Sequence, residues 1–465
     1  MSTRHVVLAT WGSFGDLHPV IAIALELQRR GHRATLATAP LYRDKVEALG
    51  LGFHAMRPDL PPPAEAAEVI RQVMDLRHGT EYLFKQLLMP HLRQSYDDLT
   101  DAVSDADLLM THPATLAAPL VAQKQRMRWV SMVLAPTSFF SVYDTPVLAP
   151  APRVSRLFKL GLPVRKAFVA LAKRMSQNWI RPVYSLREEI GLTRGAHPIF
   201  EGQHSPYRVL ALFSRLLGEP QPDWPPNTTQ TGFAFYDQRG DIHLATAESA
   251  AKGDAAQSDD VKGDTANGDD LGGLSVELRR FLESGAPPVV FTLGSSAVMD
   301  AGEFYRDSAE AARLLGVRAL LLAGSNNNLP QKLPHGVAAF DYAPYSEVFP
   351  RAAAIVHQGG VGTTGQAMRA GKPMLVMPYS HDQPDHAARM AKLGIGLHIP
   401  RSRYTALNAA RVLEQLLFNP EYSKNAELVG QQVRQENGVR TACDAIEEEL
   451  KNCATPRRKK PEVPL

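Results

Sequence analysis

The 465-residue sequence has few of the features that mark an extracellular or membrane-spanning protein. Its two cysteines, Cys443 and Cys453, both lie near the C-terminus, which argues against a disulfide framework and is typical of a reducing compartment. There is no run of about 18 apolar residues, so no membrane-spanning helix is predicted. The apolar run at residues 6–9 is too short for a secretory signal. We therefore expect a cytoplasmic protein with chemically inert cysteines.

The chain also has little excess of either charge. Lysine and arginine number 51 and aspartate and glutamate 48, a formal net charge of +3, and no long basic stretch alternates with aromatic residues. Nucleic-acid binding is therefore not expected, whereas a small anionic ligand fits this balance. A chain of this length exceeds what one hydrophobic core usually covers, so we expect two domains.

Two stretches of the chain begin with the same pattern of apolar strand, glycine turn, amphipathic helix and second strand. The first pattern covers residues 6–9, 12–16, 20–30 and 34–38, and the second covers residues 289–293, 294–296, 304–315 and 318–322. Each pattern predicts a βαβ unit and therefore a parallel sheet. The expected fold class is α/β, with two Rossmann-like, doubly wound domains.

Composition divides the chain further. Residues 239–273 are rich in Ala, Gly, Asp and Ser and cannot form a packed core. The expected parts are an N-terminal domain at 1–238, a flexible linker at 239–273, a C-terminal domain at 274–424, helices bridging the two domains at 425–453, and a disordered basic tail at 454–465.

Polar residues follow the predicted strands, where ligands of open α/β sheets bind. The segment after the first strand lacks the G-x-G-x-x-G fingerprint of dinucleotide folds, so an NAD-dependent oxidoreductase is disfavoured. It offers Asp16 and His18, although Asp16 could equally be a helix cap. The turn that contains Ser295 suits a phosphate but resembles many ordinary turns.

A stronger signal lies at residues 357–364, His-Gln-Gly-Gly-Val-Gly-Thr-Thr, between a strand and a helix. Glycines let a ligand approach the backbone, the helix N-terminus attracts anions, and His357 and Thr363 add donors. Asp382 and Gln383 follow the next strand, and a carboxylate beside a carboxamide can bind adjacent sugar hydroxyls. As an isolated pair these two residues would more often cap a helix.

These segments resemble family 1 glycosyltransferases, which share the motif at residue 357, Ala-Gly-Lys-Pro at 370–373, and the Asp-Gln pair. The start, Gly12-Ser13-x-Gly15-Asp16, is similar to the N-terminal signature of the same family. The resemblance is nearest to sterol glucosyltransferases, antibiotic glycosyltransferases and the catalytic rhamnosyltransferase chain of rhamnolipid synthesis. It implies the GT-B fold, in which two Rossmann-like domains face each other across a cleft.

The resemblance also implies a donor site in the C-terminal domain. Tyr342 would stack on the uracil and Gln366 would bind the ribose, which favours UDP over dTDP, while Gln383 favours glucose. The implied donor-binding residues are Ser13, Ser295, Tyr342, Ala343, His357, Gly359, Gly360, Gly362, Thr363, Gln366, Asp382 and Gln383.

For catalysis the resemblance implies one inverting displacement with Asp16 as general base, since Asp16 stands where plant members have histidine. His18 is the second catalytic candidate, although a packing role for it is equally open. No metal is expected, because helix N-terminus and side-chain donors would stabilise the leaving phosphate. Asp105 and Asp107 form an Asp-x-Asp motif before a strand, at the wrong end for a metal site, and are interpreted as a solvated turn.

Phe14, Phe139 and Phe140 are the candidate acceptor-binding residues. Residues 156–175 form a basic amphipathic flank that could rest on a membrane, although ordinary packing with a solvated face is favoured. Polyphenol, sterol, macrolide and lipid acceptors are not separable from the sequence. The alternatives are a dTDP-rhamnose-dependent enzyme acting on a hydroxy-fatty-acid lipid and a non-catalytic nucleotide-sugar-binding accessory protein. The sequence gives no prediction of oligomeric state.

Overall fold

The computed structural model describes residues 3–59, 63–237, 274–324 and 329–453. The predicted linker at 239–273 and the predicted tail at 454–465 lie outside the described residues. The described part contains two parallel β-sheets, one in each half of the chain, with helices packed around them.

The N-terminal sheet has seven parallel strands in the order β3-β2-β1-β4-β5-β6-β7. Apolar side chains bury both faces of its central strands, as a sheet covered by helices on both sides requires. The strands are β1 (His5–Ala9), β2 (Arg33–Thr38), β3 (Gly52–Ala55), β4 (Leu108–Thr111), β5 (Trp129–Val133), β6 (Arg208–Ala211) and β7 (Thr228–Gln230).

Helices connect these strands. They are α1 (Phe14–Arg29), α2 (Arg43–Ala48), α3 (Pro63–Val73), α4 (Gly79–Tyr82), α5 (Leu92–Ala102), α6 (Ala118–Gln125), α7 (Leu162–Ser176) and α8 (Arg181–Glu189). A π-helical segment (Leu83–Leu88) joins α4 to α5 through the short 3₁₀ turn Met89–His91. Further 3₁₀ turns are Pro40–Tyr42, Pro136–Phe139, Pro152–Leu160 and Glu201–Gln203.

The C-terminal sheet has six parallel strands in the order β10-β9-β8-β11-β12-β13. Its strands are β8 (Val289–Thr292), β9 (Ala319–Leu322), β10 (Val337–Phe340), β11 (Ala354–His357), β12 (Met374–Val376) and β13 (Gly396–His398). Its helices are α9 (Val276–Glu283), α10 (Gly294–Ala297), α11 (Phe304–Leu315), α12 (Tyr345–Val348), α13 (Val361–Ala370), α14 (Gln383–Lys392), α15 (Ala406–Phe418), α16 (Pro420–Gln435) and α17 (Gly438–Lys451). Short 3₁₀ turns occupy Val298–Asp300, Phe349–Arg351 and Arg401–Arg403.

The first helix begins six residues earlier than the sequence pattern predicts, at Phe14 rather than residue 20. Ser13 is its N-cap, and Asp16 completes a capping box by accepting from the Ser13 backbone N–H at 2.8 Å. The apolar period starts only at Leu17, which is why periodicity alone missed the first turn. Similarly, the predicted turn at residues 294–296 is the start of the short helix α10.

The last helix of the chain returns to the N-terminal sheet. Cys443 and Ile446 of α17 are buried in the core formed around β1 and α1, whereas Ala426 and Val429 of α16 belong to the C-terminal core. Burial raises the pKa of the Cys443 thiol to about 12, consistent with an unreactive packing residue. No helix among the described residues is long and apolar enough to cross a membrane.

Ion pairs fasten α17 to the N-terminal half. Glu449 is 3% exposed and contacts Arg128 at 2.6 Å and Arg208 at 3.2 Å, both of which lie at the start of N-terminal strands. Glu447 accepts from Arg30 at 2.9 Å. These charges come from residues more than 200 positions apart in sequence, so they join α17 to the N-terminal half.

We expect Glu449→Ala to lower the free energy of unfolding by about 3 kcal/mol, because it leaves two arginines without their buried partner. Glu448→Ala is the matched control: Glu448 also pairs with Arg208 but is 57% exposed in its side chain, and its loss should matter by less than about 0.5 kcal/mol. Urea unfolding followed by tryptophan fluorescence measures this, since Trp11, Trp129, Trp179 and Trp224 all lie in the N-terminal half. Equal effects of the two substitutions would contradict the assignment.

Candidate active site

Each sheet has one point where the direction of strand order reverses, between β1 and β4 in the first and between β8 and β11 in the second. Ligands of open parallel sheets bind at the carboxyl ends of the strands at such points. The predicted site segments at residues 12–16 and 294–296 follow β1 and β8, and the segment at 357–364 follows β11.

At the N-terminal reversal point, the Asp16 carboxylate accepts hydrogen bonds from the chain around it. Its Oδ2 accepts from the Ser13 backbone N–H at 2.8 Å and from the Ser13 hydroxyl at 3.3 Å. A side chain at Gly12 would place its Cβ 2.2 Å from the same oxygen, so only glycine allows this approach. Ser13, which was predicted to bind the donor, therefore donates to Asp16 in this structure. Asp16 also caps α1, the alternative role that the sequence left open.

The other carboxylate oxygen of Asp16 faces His112, which sequence reasoning did not select. His112 follows β4 and is 8% exposed, and its Nε2 lies 3.3 Å from Asp16 Oδ1. The Ala114 backbone N–H donates to His112 Nδ1 at 3.2 Å, so Nδ1 is an acceptor and the Nε2 side of the ring faces Asp16. The position of His112 directly after a buried strand was the available signal.

His18 contacts other partners. Its ring stacks on Phe14 with centroids 5.0 Å apart, and Lys45 Nζ donates to its Nε2 at 3.3 Å. Burial lowers the pKa of His18 to about 3, and the Lys45 charge acts in the same direction. Tyr236, from the segment that leaves the N-terminal sheet, lies 5.0 Å from the other side of the His18 ring. His18 is therefore a neutral residue in an aromatic cluster beside Asp16.

His357, at the C-terminal reversal point, is fully buried. Its Nδ1 accepts from the Gly359 backbone N–H at 3.0 Å, and its Nε2 lies 3.5 Å from Met374 Sδ. Burial lowers the pKa of His357 to about 3, so the ring is neutral. The sequence prediction had His357 donating to a diphosphate. In the structure this side chain shapes the glycine loop from beneath, because both of its nitrogens face protein atoms.

The glycine loop opens on the cleft at the start of α13. Gly360 is the N-cap and has no side-chain capping bond, and a methyl group at Gly362 would meet no atom within 4 Å. Gly359 has φ +91° and lies against Val376, so it must be glycine. The first N–H groups of this ten-residue helix therefore have no side-chain cap, and an anion is favoured at such a helix start.

Thr363 and Ser295, both predicted to bind the donor, differ in their exposure. The Thr363 hydroxyl is buried and hydrogen-bonds to Tyr345, whose hydroxyl also contacts Thr292 at 2.8 Å, so Thr363 supports the loop from inside. Ser295 is exposed at the start of α10. Gln358, which was not predicted, is 7% exposed and fills the space between Gly294 and Gly360, which ties the two turns together.

The predicted nucleoside contacts lie at the edge of the sheet. Tyr342 follows β10 and is 44% exposed, whereas Ala343 is buried. Gln366 does not stand free: its Nε2 donates to Asp237 at 3.2 Å, and its Oε1 accepts from Arg369 at 2.8 Å. Asp237 thus joins the segment leaving the N-terminal sheet to the helix that carries Gln366.

Asp382 and Gln383 lie at the start of α14. Asp382 makes no side-chain capping bond, and its side chain is 28% exposed, so the simple capping role is absent. Gln383 Oε1 accepts from the Tyr379 backbone N–H at 2.8 Å and fixes the preceding turn. His381, between that turn and Asp382, has φ +55°, and its Nδ1 contacts Thr80 Oγ1 at 3.1 Å.

The two reversal points face each other. Burial lowers the pKa of His381, and the charges of Asp382 and Asp16 oppose this, so groups from both halves act on one ring. Val361, the first residue of α13, packs against the hydrophobic cores of both halves. The site therefore combines Asp16 with the start of α13 and the start of α14 across one cleft.

The candidate acceptor residues are divided. Phe14 lies in the cluster next to Asp16, whereas Phe139 stacks on Trp224 with centroids 4.1 Å apart, in a separate aromatic cluster. Phe140 packs on Phe200 at 4.2 Å. Among the three, the structure brings only Phe14 into contact with the site around Asp16.

The Asp-x-Asp motif lies at the opposite edge of the sheet, as its position before β4 predicts. Asp105 lies in an exposed turn, as predicted, and contacts His5 at 3.1 Å. Asp107 differs from the prediction, because its side chain is 9% exposed and contacts Arg4 at 3.0 Å. These pairs hold the amino ends of the strands. Among the described residues no group of three or more His, Cys, Asp or Glu is arranged to hold a metal ion.

Comparison with known proteins gives matches along most of the chain. Residues 318–451 match the model of the erythromycin biosynthesis protein CIII-like C-terminal domain, and residues 6–104 match that of the glycosyltransferase family 28 N-terminal domain. The chain is 29% identical to O-mycaminosyltylonolide 6-deoxyallosyltransferase of Streptomyces fradiae, over 95% of this chain and 97% of that protein.

Two further relatives differ in length and source. A sterol 3-beta-glucosyltransferase of Pichia angusta is 24% identical over 97% of this chain, which spans 34% of the length of that enzyme. The crystal structure of a spinosyn rhamnosyltransferase complexed with thymidine diphosphate superposes with a TM-score of 0.62 at 16% identity, covering 96% of this chain and all of that one.

The buried His357 predicts a pH dependence of stability. Its pKa of about 3 in the folded protein lies below the ordinary 6.5, so below pH 6.5 only the unfolded chain takes up the proton. The free energy of unfolding should therefore fall by about 1.4 kcal/mol per pH unit from this residue as the pH drops below 6.5. In His357→Gln, the loss between pH 7 and pH 5 should be about 2 kcal/mol smaller than in the unsubstituted protein.

Chemical unfolding followed by circular dichroism at both pH values measures this difference. His78→Gln is the control, because the His78 side chain is 76% exposed and its loss should leave the pH dependence unchanged. The same pH dependence in all three proteins would contradict the buried, neutral state of His357.

Proposed function

Because the chain belongs to the family 1 glycosyltransferases and has the GT-B fold, we propose that it transfers a hexose, glucose in the first instance, from a UDP-sugar to a hydroxyl of an apolar small molecule. The observation that carries this proposal is that Asp16 of the N-terminal half and Asp382 of the C-terminal half both lie close enough to His381 for their charges to act on its ring, while Val361 at the start of α13 packs on the N-terminal core. A hydroxyl acceptor and a sugar diphosphate bound to these groups would meet between them.

Asp16 is the proposed general base. A carboxylate has about four hydrogen-bond acceptor directions. Two of them are taken on Oδ2 by Ser13, and His112 Nε2 lies 3.3 Å from Oδ1. Oδ1 has no other hydrogen-bond partner among the described residues, so it can take the acceptor proton while the acceptor oxygen attacks the anomeric carbon. His112 is then a positioning residue, since its ring lies against the oxygen that takes the proton.

The bond from the anomeric carbon to the diphosphate breaks as the new bond forms, so the configuration inverts. Negative charge develops on the leaving phosphate, where the uncapped N–H groups at the start of α13 would stabilise it, with the exposed Ser295 hydroxyl beside them. Asp382, with its partly exposed carboxylate, would accept from the sugar hydroxyls, next to Gln383. A metal ion is not needed in this scheme.

A dTDP-sugar is the second candidate donor, because the superposed spinosyn rhamnosyltransferase holds thymidine diphosphate. Uracil and thymine both can stack on the exposed ring of Tyr342. The preference for UDP depends on a polar residue at the ribose, Gln366, whose amide is already bonded to Asp237 and Arg369. A direct comparison of donors therefore decides between the two.

We expect UDP and UDP-glucose to raise the melting temperature of the protein more than dTDP-rhamnose does, equally with and without a chelator. At a ligand concentration 100 times the dissociation constant, the stabilisation should be about 2.7 kcal/mol. Thermal unfolding with each ligand measures this. If dTDP-rhamnose raises the melting temperature more than UDP-glucose does, the proposed donor would be a dTDP-sugar. If no nucleotide sugar raises it, the proposed donor site would be contradicted.

Gly362→Asp tests the position of the diphosphate. Its Cβ would meet no other atom, and an acidic residue in the first turn of a helix is favourable, so folding should be unaffected. The new carboxylate would repel a diphosphate and weaken UDP binding at least about tenfold. Leu407→Asp, at the same position of helix α15 and 59% exposed, is the matched control and should bind UDP normally.

Asp16→Asn should reduce kcat/KM by about 100- to 10,000-fold and leave UDP binding intact, because the proton acceptor is lost and the donor site is not. Release of UDP in the presence of phenolic and sterol acceptors measures turnover. Asp105→Asn, an acidic residue at the opposite edge of the same sheet, is the control. Full turnover in Asp16→Asn would contradict the assignment of Asp16 as the base. If the unsubstituted protein binds UDP but shows no turnover, an accessory binding role would be favoured.

A further inference from the structure

One segment of the N-terminal half contains basic residues and no acidic ones. Residues 145–187 contain nine lysines and arginines and no aspartate or glutamate. The whole chain has 51 basic and 48 acidic residues, so without this segment the remainder would have a net charge of −6. The positive charge is therefore local to this segment, which includes the 3₁₀ turn Pro152–Leu160 and helix α7.

Large apolar side chains stand among these charges and face outward. Leu157, Leu160, Leu171 and Met175 are 50%, 70%, 53% and 65% exposed. We call these four residues the apolar ridge. The exposed positions of α7 repeat every three or four residues and therefore share one face of the helix; they are residues 163, 166, 167, 170, 171, 174 and 175. Most of these residues are apolar, whereas the outer face of a surface helix is usually polar.

The segment is held firmly on its inner side. Arg165 donates to the carbonyl oxygens of Phe158 and Tyr143 at 3.0 Å each, which ties the 3₁₀ turn to α7. Phe158 and Phe168 pack edge to face at 4.9 Å, and Lys173 pairs with Glu201. The outer surface is therefore a fixed arrangement and its exposed leucines are not a fraying end.

Five outward cations have no carboxylate within ion-pair distance among the described residues. They are Arg153, Arg156, Lys159, Lys166 and Arg174; Lys166 lies on the exposed side of α7 between Leu160 and Leu171, and each of the others lies within four positions of a member of the apolar ridge. Exposed apolar side chains among unpaired cations match the boundary of a bilayer, where apolar side chains enter the acyl region and cations meet anionic head groups.

We propose that this face, the apolar ridge with its five flanking cations, docks the protein on an anionic lipid bilayer. The ridge favours a bilayer over a nucleic acid, since a polynucleotide would use the cations and leave the leucines in water. Docking does not depend on the proposed transferase activity. If that activity holds, an apolar acceptor could enter from the bilayer, because Lys173 of α7 lies 5.3 Å from Phe200, which packs on the candidate acceptor residue Phe140.

The test is co-sedimentation of the full chain with phosphatidylcholine vesicles, with and without phosphatidylglycerol. We expect binding only to the anionic vesicles, weakened about tenfold or more at high salt. The triple variant Leu160→Ser, Leu171→Ser, Met175→Ser should bind about tenfold or more weakly. The matched control, Leu407→Ser, Phe418→Ser, Leu428→Ser, changes residues that are 59%, 70% and 50% exposed elsewhere and should bind normally.

Three outcomes would overturn the proposal: no binding to anionic vesicles, equal binding of the two triple variants, or equal binding to a single-stranded polynucleotide, which would mean charge attraction alone. A concentration-dependent dimer that the ridge variant abolishes would show that a second copy covers this face instead. Circular dichroism checks that both variants fold. Stabilisation by UDP, measured on the same proteins, should be unchanged, which separates failure of docking from failure of the donor site.

Discussion

Two helix N-termini, those of α1 and α13, point into the same cleft, and the rest of the site depends on how their positive ends are compensated. The first is compensated within the chain, since the Asp16 carboxylate completes a capping box by accepting from the Ser13 backbone N–H. The second has glycine at its cap and no side-chain partner, so its N–H groups are left for a ligand. One end thus holds a carboxylate in place and the other offers a site for an anion. A base opposite a diphosphate needs this asymmetry.

Holding the two ends together requires contacts from many parts of the chain. Met74, just after α3 of the N-terminal half, is buried in a core of the C-terminal half, and Ser380 donates to the Asp75 carbonyl oxygen at 2.9 Å. Arg389 of α14 pairs with Asp144 at 2.7 Å. Helix α17 crosses back to the N-terminal sheet, with its acidic residues on arginines at the strand starts. These contacts join the two halves of the chain at three separate places.

Much of the fold could be predicted from the sequence, because buried parallel strands and glycine turns leave strong local patterns. The βαβ starts, the class of fold and the family resemblance were confirmed. The start of α1 was missed because its first turn is stabilised by capping, which periodicity does not register. His112 was missed because only the pairing of β1 with β4 brings it to Asp16, almost a hundred residues away in sequence. The inward orientation of His357 and Thr363 likewise depends on tertiary partners, Met374 and Tyr345.

A crystal structure of the protein with UDP would show whether a nucleoside diphosphate binds between the two reversal points. We expect the diphosphate to lie at the start of α13 beside Ser295, with the uracil near Tyr342 and the Asp16 carboxylate facing the β-phosphate across the cleft. A diphosphate bound at any other place, or one whose β-phosphate faces away from Asp16, would contradict this expectation.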